Sequence, residues 1–199
     1  MRNKVGTLCM VLGALMILSA LALFGWNSWD AERAQRASQA VLPELMDAIE
    51  KPDDLPNPYD TEMTVVEIDG NGYIGYLSIP SLGLELPVMS EWSYDGLKIA
   101  PCRYSGSVKS DNLVIAGHNY AGHFSNLRFL EEGAEIVFTD MDGRRWKYCV
   151  SSVETLRPED VETMTIPATD DPWDLTLFTC TPRRSSWSFR SCRNGATTV

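Results

Sequence analysis

Charge is missing from one end of this chain, and positive charge is scarce in the rest. No Asp, Glu, Lys or Arg occurs between Val5 and Trp26. Across 199 residues, 17 Lys and Arg stand against 27 Asp and Glu, a formal net charge of −10. The first 26 residues hold Arg2 and Lys4 and no acid, so the remainder carries 15 basic and 27 acidic groups, a net of −12. A body so acidic repels a polyphosphate and no basic stripe offsets it, which argues against nucleic acid as a partner. No internal repeat or low-complexity tract is present, which excludes a repeat array. The five cysteines follow no framework spacing, which excludes a small disulfide-stapled fold. What is left is enough chain for one domain of ordinary size with appendages.

The uncharged run from Val5 to Trp26 is 22 residues long. About 20 helical residues cross a hydrocarbon core, so this run can span a membrane. Trp26 and Trp29 fall where interfacial aromatics are expected. Arg2 and Lys4 precede the run and Asp30 and Glu32 follow it, with Arg33 and Arg36 softening the contrast. The positive-inside tendency places the N-terminus in the cytoplasm and the body outside. The competing interpretation is a cleaved signal peptide, with Ala20 to Ala22 as the cleavage site. The apolar run exceeds the usual h-region of about 7–15 residues, which favours a retained anchor. Cys9 lies inside the run and does not resemble a lipidation site. An extracytoplasmic body exposes Cys102, Cys149, Cys180 and Cys192 to an oxidising or unbuffered environment. Cys149 sits in a β-patterned run as a small hydrophobe, and a Cys102–Cys149 bridge is left open.

Residues 1–26 are therefore expected to form a cytoplasmic tip and transmembrane anchor, 27–58 a helical stalk and linker, and 59–199 the functional domain. Residues 27–50, rich in Ala, Glu, Gln and Leu, predict a helix continuing out of the membrane and interrupted at Pro43. Pro52, Pro56 and Pro58 make the acidic stretch 51–58 a stiff linker that lifts the body off the bilayer. Beyond it the pattern changes to short β runs. Gly72 to Ile79 stops at Pro80, and Leu84 to Val88 follows. Asn112 to Ala116 is continuously apolar after its first residue, as in a strand buried on both faces. Phe124 to Leu130 suits one or two helical turns. Ala134 to Thr139 and Arg145 to Val150 flank Asp142-Gly143, a hairpin signal. Pro158 begins a short helix reaching Met164. Leu175 to Cys180 is the next strand. Short strands with minor helices predict a mostly β fold, an antiparallel or mixed barrel.

Two of these runs end in chemistry. The run Leu175 to Cys180 closes on a thiol, and the run from Asn112 ends at His118. A thiol at one strand end and an imidazole at another is what a cysteine acyltransferase needs, because a thiol attacks only as thiolate and an adjacent base or cation promotes that form. The blander interpretations are a buried strand cysteine and a structural histidine. His118 and His123 also form a His-x4-His pair, and with Cys180 this suggests zinc, but no third or fourth ligand is evident. His123 is expected to be a loop residue near the site. The acidic pairs Asp53–Asp54, Glu131–Glu132 and Asp170–Asp171 read as exposed charge, and Arg183–Arg184 as a solvated loop. Trp92 and Tyr94 suit either a substrate groove or packing.

The ordered set of motifs resembles the sortase family. Gly75 to Val88, with Pro80 inside it, is similar to that family's first two strands. Asn112 to Asn119 is similar to its histidine motif, and Leu177 to Cys180 to its cysteine motif; the likeness covers roughly residues 72–182. Gly117-His118-Asn119 leans toward class B or a related class. The resemblance implies an eight-stranded sortase-type β-barrel with short helices behind an N-terminal transmembrane helix. It implies transpeptidation of surface proteins or pilins at a Leu-Pro-x-Thr-Gly-like sorting signal, through Cys180 as nucleophile and His118 as acid and base. The acyl group would pass to an amine of a cell-wall precursor or pilin. No metal or organic cofactor is implied. The chain departs from the family after Pro182, where a final strand bearing an arginine is expected. Arg190 fits that role of oxyanion partner best, and Arg193 and Arg184 are rivals. Because 190 and 193 differ by an odd number, a regular strand points them to opposite faces. An extracytoplasmic cysteine protease and a non-catalytic, membrane-tethered binding module on the same barrel are the alternative functions. Papain-like enzymes carry the cysteine before the histidine, the reverse of the order here.

Overall fold

The computed structural model describes residues 2–49, 62–157, 174–180 and 186–193, the last segment as backbone. A single helix, α1 (Arg2–Ile49), runs for 48 residues, a rise of about 72 Å at 1.5 Å per residue. Most of its first half is exposed. Val5, Leu8, Leu15, Leu21, Leu23 and Phe24 all project their apolar side chains outward, as a helix long and apolar enough to cross a membrane does.

The second half packs on the rest of the molecule. Ala34, Ser38, Val41, Leu45 and Ile49 recur every three or four residues and are buried. The expected interruption at Pro43 does not occur, since Pro43 lies inside the continuous helix. An interior proline costs about 3 kcal/mol. Burying Val41, Leu45 and Ile49 gains about 1.5–3 kcal/mol each, which outweighs it even after allowance for a compact unfolded chain. The stripe straddles the proline and holds both sides to one surface. Residues 34–49 thus lie along the body instead of standing it off. The linker 51–58 and the short helix from Pro158 fall outside the described residues.

The body is built from nine strands: β1 (Val66–Ile68), β2 (Asn71–Ile79), β3 (Leu84–Met89), β4 (Cys102–Ser105), β5 (Leu113–Gly117), β6 (Glu135–Asp140), β7 (Arg145–Leu156), β8 (Leu175–Cys180) and β9 (Ser186–Arg193). They form one sheet in the order β1-β2-β3-β4-β5-β8-β9-β7-β6, and β2 pairs with β6 to close it. The ring therefore holds eight strands, nearly closed, with β1 appended to β2; β3 and β4 touch at one pair, Met89 and Cys102. The β6–β7 hairpin turns at Asp142-Gly143 as expected, with Gly143 at φ 76°. Strand β7 runs on to Leu156, six residues past the apolar pattern, because β9 pairs along that extension.

Two apolar layers result. Inside the barrel pack Ile74, Leu77, Leu113, Ile115, Phe138, Tyr148, Leu175 and Leu177, capped by Phe124 and Leu127. Outside it, under α1, Val41, Leu45 and Ile49 meet Ile68, Tyr73, Met89, Cys102 and Ala116. Cys102 is a free thiol within this outer layer, against Met89 Sδ and the Ala100 carbonyl. A Cys102–Cys149 bridge is therefore absent. Instead, the register sets residue 149 opposite residue 192.

Candidate active site

Strands β5 and β8 are parallel neighbours at the centre of the sheet. Their ladder runs from Leu113 beside Leu175 to Gly117 beside Thr179. His118 directly follows Gly117 at the end of β5, and Cys180 is the last residue of β8, so the two expected reactive residues leave adjacent, parallel strand ends. Alternation puts them on one face. Leu113, Ile115, Leu175 and Leu177 point into the barrel, whereas Ala116 and Phe178 belong to the outer layer. His118 and Cys180 continue that outer series. Cys180 is exposed and His118 half-buried.

The chain after β5 folds back onto the strand because of Gly117. A side chain there would stand 2.4 Å from the Phe124 ring. With none, Phe124 seats against the strand end and its N–H donates to the His118 carbonyl at 3.1 Å. The return brings Tyr120 over His118, with ring centroids 4.7 Å apart, and His123 behind Tyr120 at 5.7 Å.

Helix α1 completes this side of the site. The Tyr120 hydroxyl donates to Asp30 Oδ2 at 2.7 Å. Burial and the Asp30 carboxylate push the Tyr120 phenol up to about 12, and the same hydrogen bond holds Asp30 below its ordinary value. Burial draws the His118 imidazole below its usual value, an effect that the Asp30 charge opposes and that of Lys98 reinforces. His123 is fully buried, and desolvation takes it down to about 4. The Ser38 hydroxyl donates to the Ile99 carbonyl and lies 3.0 Å from His123 Nε2. Ser38 Oγ then accepts from Nε2–H, which fixes the neutral tautomer. His123 is turned to the helix, so it does not pair with His118 around a metal. Among the described residues no group of three or more His, Cys, Asp or Glu side chains could hold one.

On the other side of Cys180 runs a row of rings. Phe178, Tyr104, Trp92 and Tyr94 stack edge to face with centroid separations of 5.4, 5.9 and 4.9 Å. Trp92, Tyr94 and Tyr104 keep much of their surface exposed. Strand β9 pairs antiparallel with β8, Ser186 opposite Cys180 and Arg190 opposite Thr176. Position 190 therefore lies on the face of Cys180, about 13 Å along the strand. Position 193 lies opposite Tyr148, an interior residue, and so on the other face. Arg183 and Arg184 fall outside the described residues.

Sequence alone gave Asp30 no place in this arrangement and did not single out Ser38 or Tyr120. A polar Ser38 on an otherwise apolar helical stripe was the available signal for one of them.

Comparison with known proteins gives a consistent result. The family model for the sortase domain matches residues 77–192, more than half of the chain. Sortase A of Bacillus anthracis is 28% identical over 131 residues, which cover 63% of this chain and 60% of that protein. Sortase C of Streptococcus pneumoniae superimposes with a TM-score of 0.56 at 24% identity, over 85% of this chain and 91% of that one. Sortase A of Corynebacterium diphtheriae does so with a TM-score of 0.57 at 21% identity, over 90% and 94%. These relatives are named sortases A and C, so they lend nothing to the lean toward class B. From the span of the family-model match, and a fold shared with solved relatives, this chain belongs to the sortase domain family.

Proposed function

We propose that this protein is a membrane-anchored cysteine transpeptidase. It cleaves a C-terminal sorting signal of the Leu-Pro-x-Thr-Gly type and transfers the acyl group to an amine of a cell-wall precursor or a pilin. The observation that carries the proposal is the emergence of His118 and Cys180 from neighbouring strand ends on one open face. The exposed rings beside Cys180 offer the donor peptide an apolar shelf. The solved Streptococcus pneumoniae relative is described in terms of pilin substrate specificity, which supports a pilin as one source of substrate.

The chemistry follows from the two side chains. Burial keeps the His118 imidazole neutral near neutral pH, so it accepts the Cys180 proton as sulfur attacks the Thr carbonyl carbon. The imidazolium so formed donates that proton to the departing Gly nitrogen as the C–N bond breaks, leaving a thioester. An incoming amine then adds to the thioester carbonyl, gives a proton to His118 and expels the thiolate. Arg190 is proposed as the donor to the developing oxyanion. The register that sets position 190 on the face of Cys180, and position 193 on the other, supports this choice. No step requires a metal or organic cofactor. Helix α1 anchors the enzyme, with its N-terminus in the cytoplasm and the barrel outside, as the placement of Arg2 and Lys4 suggests.

The test is intact-protein mass spectrometry with a panel of sorting-signal peptides. The wild-type chain should gain the mass of the acyl fragment and lose it when an amine is added, and Cys180→Ala should gain nothing. Transpeptidation surviving in Cys180→Ala would end the assignment.

A further inference from the structure

The donor peptide has an evident place, along Cys180 and the rings of Phe178, Tyr104 and Trp92. The second substrate needs one too, because the thioester carbonyl is already flanked by the donor chain on that side. On the far side of His118 lies a cavity of about 520 Å³, within the range of about 300–1,000 Å³ usual for ligand sites. One wall is the start of the packed half of α1, including Ser28, Ala31 and Glu32; the other is the loop after β5, including His118, Asn119 and Ser125. Cys180 is not part of its lining. His118, which follows the strand next to the one that ends at Cys180, therefore lines the cavity from the side of the thiol's strand.

From this arrangement we infer that the cavity between the anchor helix and His118 is the acceptor site, which holds a primary amine for attack on the Cys180 thioester. The inference rests on the transpeptidase reading above and adds to it the location of the second substrate and the element that forms it.

The lining has the required character. An alkylammonium group seeks hydrogen-bond acceptors and negative charge, and Glu32, Ser28, Ser125 and the Asn119 side-chain carbonyl provide both; Arg128 also lines the cavity, with its guanidinium over the Phe129 ring at 4.7 Å. The Glu32 carboxylate is only loosely engaged, by an exposed Arg36 at 3.5 Å, and such exposed pairs are weak. The step itself balances. The ammonium gives one proton to solvent and the neutral amine adds to the thioester carbon; a second N–H proton passes to neutral His118; the C–S bond breaks; amide, Cys180 thiolate and imidazolium remain. A base on the same side as the amine and beside the sulfur is the geometry this step demands.

The position of the cavity carries a further consequence. Ser28 follows the apolar run by two residues, so the opening sits about one helical turn from where the chain leaves the membrane. The anchor helix is thus a wall of the active site, and acceptors held near the bilayer surface have direct entry.

The experiment uses the full chain in detergent micelles, charged to the thioester with a sorting-signal peptide. The acyl-enzyme is then partitioned between triglycine and water, and separately between hydroxylamine and water. Ala31→Trp fills the cavity from the helix, and Ser28→Trp fills it from the preceding turn. Each should lower the ratio of triglycine product to hydrolysed product at least about tenfold, or about 1.4 kcal/mol. Hydroxylamine, small enough to reach the thioester without the cavity, should lose less than about threefold. Glu32→Gln should raise the triglycine concentration at half saturation without changing the hydroxylamine ratio. Triglycine ratios within about twofold of wild type in both tryptophan variants would overturn the inference. So would equal losses for the two nucleophiles. If the wild-type chain forms no thioester, the transpeptidase reading itself fails and the acceptor site falls with it.

Discussion

Acid should loosen the anchor helix from the barrel through His123. Its ring is fully buried, commits Nε2–H to Ser38 on α1, and is held down to about 4 against an ordinary value of 6.5. A difference of about 2.5 units, at 1.36 kcal/mol each, amounts to about 3 kcal/mol. The sign follows from which state binds the proton. Between about pH 6.5 and about pH 4 the unfolded chain takes a proton that the folded chain refuses. The stability associated with a neutral His123 is thus present above pH 6.5 and is lost as pH falls, with the loss complete near pH 4. Asp140 acts in the opposite direction: burial raises its carboxyl, so the folded state holds that proton longer and gains stability as pH falls. Wild-type curves alone mix such contributions. The informative quantity is the difference between wild type and His123→Gln, which keeps a donor for Ser38 but does not titrate. Urea unfolding of the full chain in detergent, followed by tryptophan emission from about pH 7 to about pH 4, measures it. The wild type should lose about 3 kcal/mol more than the variant across that range. Parallel curves would refute the role assigned to His123.

Two further outcomes follow from the packing and the register. Leu45 is fully buried between α1 and the barrel, so Leu45→Ala should cost about 2–5 kcal/mol of unfolding free energy. A loss below about 1 kcal/mol would mean that the helix rests on the barrel without packing into it. Residues 149 and 192 face each other across β7 and β9, so mild oxidation of a Cys180→Ser background should join Cys149 to Cys192. The loop closed is roughly 40 residues and would add about 4 kcal/mol by the chain-entropy relation. Peptide mapping that finds Cys102 cross-linked instead would contradict the register.

The strands that carry chemistry were legible because they are the most buried. Every residue of β5 is enclosed, and a short continuous apolar run bounded by polar residues is how such a strand reads. In Leu175 to Thr179 all but Phe178 are enclosed. Edge elements were not legible. β1 has three residues and β4 four, too few for a period, and their strand character comes from the partners they pair with. The final strand was expected only from the family resemblance, as a strand bearing an arginine after Pro182. Its register then assigns position 190 to the face of Cys180 and position 193 to the other, a choice that their odd spacing alone left open.

The half of the site formed by α1 was hidden for a different reason. Asp30 and Tyr120 are 90 residues apart, and Ser38 and His123 are 85 apart; no local pattern links members of such pairs. The helix also carried a misleading signal, a proline in mid-course, whose local penalty is overridden by burial on both sides of it. A motif search stops at the histidine and the cysteine because strand ends are sequence-local objects. The wall that faces His118 comes from an element whose first half has the composition of a membrane span, so the sequence suggested a span and gave no sign that the same helix also lines the cavity beside His118. If the acceptor enters between α1 and His118, detaching the barrel from its anchor removes part of a substrate site. Activity measured on the isolated barrel would then report acylation faithfully and aminolysis poorly.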